Sequence, residues 1–89
     1  METIELEIEK KAEEVYEIIK AFEGENGLTD CTIAWLPRQN VLEIVLTDLD
    51  EESRIFHTDL GEHNYVQVRR MALDLVETKM GYSTLEWEY

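Results

Sequence analysis

Twenty-one carboxylates, one cysteine and two histidines are the side chains in this 89-residue chain that could do chemistry, and the carboxylates dominate. A general acid and base pair needs one carboxyl whose pKa is displaced by burial, and most of these acids fall on polar faces of their segments, so no catalytic pair stands out. Cys31 has no nucleophile signature around it and reads as a small buried strand residue; being alone, it can form neither an intramolecular disulfide nor a multi-cysteine zinc site. His57 and His63 lie six apart with Asp59 and Glu62 between them. They straddle Gly61 and a strand end, and they read as surface or turn histidines rather than metal ligands. Asp48, Asp50 and Glu52 resemble the start of a calcium loop, but Ser53 stands where that loop needs glycine and Asp59 where it needs a bidentate glutamate. Phosphate-cradling glycine loops, the nucleophile elbow and the HExxH zinc pattern do not occur. The expectation is a protein with no catalytic residues, no metal and no cofactor.

What remains is a field. The net charge is −13, from 21 acids against 8 bases. Such a field repels nucleic acid and anionic membrane and draws in basic surfaces at rates that salt slows. Its sources are two segments. Residues 2–25 carry nine acids against Lys10, Lys11 and Lys20, and residues 48–62 carry six against Arg54, whereas residues 64–80 are slightly positive. The start of the chain has acids where a secretion signal needs bases and an apolar stretch, and no run of 18 apolar residues occurs, so an intracellular, cytoplasmic location is expected.

The elements that must position these acids follow from periodicity. Residues 3–9 alternate as a half-buried strand, yet Ile4, Ile8, Ala12, Val15, Ile19 and Phe22 also form a helical stripe. One long helix would turn Leu6 to solvent and set Lys11 in the stripe; a strand to Glu9 followed by a helix from about Lys10 to Glu23 removes the first conflict and moves the second to the helix end. Residues 31–36 and 41–47 read as a hairpin turning at Pro37–Asn40 and lying at the sheet centre with both faces partly covered. A third strand spans 53–60. Asn64 then caps a helix whose face is Tyr65, Val68, Met71, Ala72, Leu75 and Val76, ended by Lys79 and Gly81. Residues 83–89 alternate as a last strand that sets Leu85, Trp87 and Tyr89 on one side.

The expected fold is therefore one small two-layer α+β domain with a mostly antiparallel sheet and two helices, in the order β-α-β-β-β-α-β, or α-β-β-β-α-β if the first strand joins the helix. The first five elements of the second order resemble the double-stranded-RNA-binding architecture, but the sign of the charge opposes that activity.

As a helix, residues 5–17 place Glu5, Glu9, Glu13 and Glu17 at four-residue steps roughly 6 Å apart, a row able to imitate the charges of one nucleic-acid strand. Imitating a duplex would need a facing row from the second acidic segment, residues 48–62 with Asp48, Asp50, Glu51 and Glu52 as its candidate partner-binding residues, or from a second protomer. In size, charge and lack of catalytic motifs the chain is similar to phage-encoded nucleic-acid mimics, anti-CRISPR and anti-restriction inhibitors, which occupy a basic, nucleic-acid-binding protein. An immunity protein or antitoxin against a basic nuclease would use the same electrostatics. A structural protein pairing through its terminal strand, with a second copy as a homodimer, would instead rely on apolar contacts that resist salt.

Overall fold

The computed structural model describes residues 3–82, with side chains from Glu7 onward. Two helices and a three-stranded antiparallel sheet make a small α+β domain in the order α1 (Thr3–Asn26), β1 (Asp30–Leu36), β2 (Val41–Thr47), β3 (Ser53–Asp59) and α2 (Tyr65–Leu75), the last extended by a π-helical turn at Val76–Met80. The terminal strand expected at 83–89, with Trp87 and Tyr89, lies outside the described residues.

One expected element is corrected: residues 3–9 are the start of α1 and not a strand. Ile8, Ala12, Val15, Tyr16, Ile19 and Phe22 are all buried along one side of this helix, a continuous stripe that a strand over 3–9 would have broken. Lys11, the residue that argued against the long helix, sits at the flank of the stripe and sends its ammonium to Glu14 at 3.3 Å. The helix also runs past Glu23 to Asn26, where the side chain of Asn26 donates to the carbonyl of Phe22 and Gly27 closes it in a left-handed conformation, φ 80°. A side chain at Gly27 would be strained by that φ and would run into Leu49.

The strands pair as a meander with β2 in the middle, Ile44 opposite both Ile33 and Phe56. Alternation puts Cys31, Ile33, Leu42, Ile44, Leu46 and Thr58 on the buried face, under the helices. No described helix packs on the other face, where Ala34 and Ile55 are exposed and Val41 and Val45 half-buried. Cross-strand pairs such as Val45 with Ile55 explain the apolar residues there, because β-branched side chains stabilise a pleated surface without deep burial.

Asn40 ties the β1–β2 turn to the β3–α2 connection. Its φ of 55° is left-handed, its Oδ1 accepts from the Trp35 indole N–H at 3.1 Å, its amide donates to the Gly61 carbonyl at 2.7 Å, and its own carbonyl accepts from Leu60 N–H at 3.1 Å. Asparagine tolerates that conformation and alanine does not. Asn40→Ala should therefore destabilise by about 2–3 kcal/mol in urea unfolding. Asn40→Gly, which keeps the backbone freedom and loses only the side-chain bonds, should recover about 1 kcal/mol of this. Equal losses in the two variants would show that the backbone conformation contributes nothing.

Helix α2 begins as expected, with Asn64 Oδ1 accepting from Val66 N–H at 2.8 Å, and buries Val68, Ala72 and Leu73, followed by Val76 in the π turn. Gly81, φ 82°, ends that turn.

Candidate functional site: an acidic surface on the first helix

The row expected on α1 is present, but it is not parallel to the helix axis. Glu9, Glu13 and Glu17 are exposed. Four residues of α-helix advance by more than one turn, about 40° beyond it, so the row winds across the outer side of α1. Glu9 and Glu13 border a groove against α2, whereas Glu17 faces the β3 side with Arg54, Phe56 and His57 nearby. Glu5 lies in the same helix, one step before Glu9, and its side chain is outside the described set.

The second acidic segment does not form a row facing α1. The turn Asp48–Glu52 packs against the α1–β1 connection, with Leu49 over Gly27 and the Thr29 hydroxyl donating to the Asp48 carbonyl at 3.1 Å. It thus stands at the C-terminal end of α1, roughly 15 Å along the axis from Glu17. Asp50, Glu51 and Glu52 are exposed there, Glu51 in a left-handed conformation with φ 66°. Asp48 also has a part within the turn. Its Oδ1 accepts from the backbone N–H groups of Asp50 and Glu52 at 2.8 and 2.9 Å, so its carboxylate holds the turn together. Asp59, from the same segment, lies near Lys10 and Lys11 at the opposite end of the domain.

No family model, curated protein or solved structure matches this chain.

Three of the bases reach aromatic rings or a backbone carbonyl. Arg54 lies over the Phe22 ring at 5.9 Å, Lys79 lies over Tyr16 at 5.6 Å, and Arg69 donates to the Ile33 carbonyl at 3.1 Å. Among the described residues Glu9, Glu13 and Glu17 make no ion pair; on α1 Lys11 pairs with Glu14 and His63 approaches Glu7 at 3.9 Å. The last turn of α1 carries Glu23 and Glu25 and no base, at the end of the helix where the dipole disfavours anions. Glu23 accepts from the Tyr82 hydroxyl at 3.2 Å, and burial followed by this carboxylate pushes the Tyr82 phenol pKa up.

The nucleophilic and metal-ligating candidates are kept apart. Cys31 is on the covered face of the sheet and His57 on the open one, where it approaches Glu43 at 3.7 Å. No three of the metal-binding side chains converge among the described residues. No described helix is long and apolar enough to cross a membrane.

Sequence reasoning missed what α2 contributes. Asp74 joins Glu9 and Glu13 across the interhelical groove, and Trp35 stacks on Tyr65 with ring centres 4.6 Å apart. The only local hint of the first was an acid inside an otherwise neutral or basic helix.

Uncompensated like charge should weaken the fold itself. Raising sodium chloride from about 0.05 to 0.5 M should stabilise the protein by about 1 kcal/mol, or roughly 4–8 °C in Tm, as screening shortens the reach of the repulsion. A melting temperature that stays constant or falls with salt would contradict this.

Proposed function

We propose that the protein is a small acidic binding protein that occupies the basic, nucleic-acid-binding surface of an intracellular partner protein, as a nucleic-acid mimic does. The observation that carries the reading is the row Glu9, Glu13 and Glu17, exposed and without ion pairs among the described residues on one helix, in a chain of net charge −13. Charge kept uncompensated in a domain this small is costly, and a cationic surface is what would offset that cost on binding. Asp50, Glu51 and Glu52 add exposed negative charge at the C-terminal end of α1.

Immobilised protein should capture from cell lysate a nucleic-acid-binding protein that is released at moderate salt and by competing duplex DNA or RNA. A variant with Glu9→Lys, Glu13→Lys, Glu17→Lys and Asp50→Lys should fail to capture it. Capture that survives high salt, nucleic-acid competition and the charge reversal would overturn the reading and favour apolar association. A captured nuclease with a basic active site would place the function with immunity proteins.

A further inference from the structure

The groove between α1 and α2 has an apolar floor and an acidic rim. Ala12, Met71 and Leu75 form the floor, and Glu9 and Glu13 from one helix and Asp74 from the other stand around it, enclosing about 330 Å³. Met71 and Leu75 are only half-buried, so the floor is open to a visitor. Thr78, also at the wall, donates its hydroxyl to the Asp74 carbonyl at 2.8 Å and leaves the Asp74 carboxylate to solvent. Arg70, four residues before Asp74 on the same helix, makes no ion pair with it among the described residues, and Lys79 in the π turn is turned over the Tyr16 ring. None of the three rim carboxylates makes an ion pair among the described residues.

A volume near 330 Å³ is at the small end of ligand cavities, and its combination of apolar base and negative rim suits one kind of occupant. A long basic side chain lays its methylene stem on apolar surface and keeps its cationic head among acceptors. A guanidinium does this best, because its planar fork can meet two carboxylates at once. We infer that this groove is the anchor point of the acidic surface and receives an arginine side chain from a basic segment of the partner protein, its stem on Met71 and Leu75 and its head between Asp74 and the Glu9–Glu13 pair. The inference rests on the reading that the protein binds a basic partner. It adds that one part of the acidic surface has shape as well as charge, which fixes where the partner sits.

The test uses the whole protein and a short synthetic peptide of alternating arginine and alanine, followed by methyl NMR at about 0.15 M sodium chloride, where long-range attraction is already screened. The Met71 and Leu75 methyl signals should shift most. Asp74→Asn with Glu13→Gln should weaken binding about tenfold, while Glu14→Gln with Glu25→Gln, which removes the same charge elsewhere on α1, should change it less than about twofold. Leu75→Gln, which keeps the rim and spoils the floor, should also weaken binding several-fold with the circular dichroism spectrum unchanged. Shifts spread evenly along α1, with equal losses in both charge-matched doubles, would overturn the groove and leave the acidic-surface reading standing. No binding of the peptide even at about 0.02 M salt would overturn both.

Discussion

Ile44→Ala is expected to cost about 3–4 kcal/mol and to leave the domain partly unfolded at physiological temperature. Ile44 is fully buried at the centre of the central strand, opposite Ile33 on one neighbour and Phe56 on the other, beneath the stripe of α1. Truncation there removes three carbons' worth of burial and leaves a void that paired strands on both sides cannot collapse to fill. A chain of 89 residues has a total stability of roughly 4–13 kcal/mol, and this one carries a destabilising net charge besides. The matched control is Ile55→Ala on the open face of β3, where the side chain is 55% exposed; it should cost less than about 1 kcal/mol. Urea unfolding followed by circular dichroism checks both. Similar losses at the two positions would mean that the covered face of the sheet is not the core.

Cys31 is expected to be almost inert in the folded protein. Burial, with a smaller contribution from Asp30, pushes its thiol up to about 12, far from the range a nucleophile requires. At pH 8 the thiolate fraction is then lower by a factor of about a thousand than for an ordinary cysteine thiol, before any restriction on access is counted. Labelling by a disulfide reagent should be correspondingly slow in buffer and fast in urea. The same displacement has a pH signature. The unfolded chain loses this proton near pH 9 and the folded one near pH 12, so the stabilising contribution is complete below about pH 9 and declines above it. The slope from this thiol should approach 1.4 kcal/mol per pH unit between those values, and Cys31→Ala should remove that part, leaving the loss of the same sign that the raised Tyr82 phenol contributes. Rapid labelling of the native protein would show that β1 opens readily.

Much of this fold could be read from local pattern. The hairpin, the third strand and the Asn64-capped helix each combine one clear periodicity with suitable turn or cap residues, and the structure places them where those signals point. Residues 3–9 could not be read that way, because glutamates alternating with Ile4, Leu6 and Ile8 satisfy a strand while Ile8, Ala12, Val15 and Ile19 satisfy a helix. Only the packing of that longer stripe against the sheet decides between them. The acids of the surface were legible as residues, but their direction was not. The 40° drift of a four-residue step carries Glu9 towards α2 and Glu17 towards β3, and Asp74 joins the surface only through the contact of two helices separated by the whole sheet, residues 27–64. Asp48 looked like its neighbours in the sequence and is separated from them by the hydrogen bonds it accepts.

The way the two helices meet has a consequence for the order of folding. The strands are joined by connections of four and five residues, 37–40 and 48–52, so the sheet can zip up from nearby contacts. The seam between α1 and α2 joins the two ends of the described chain, and closing it means ordering everything between them. It should form late and open early. A cationic side chain lodged in the groove would act as a clasp across that seam. Deuterium uptake by α1 amides should then slow along the whole helix when a partner binds, well beyond the residues it touches.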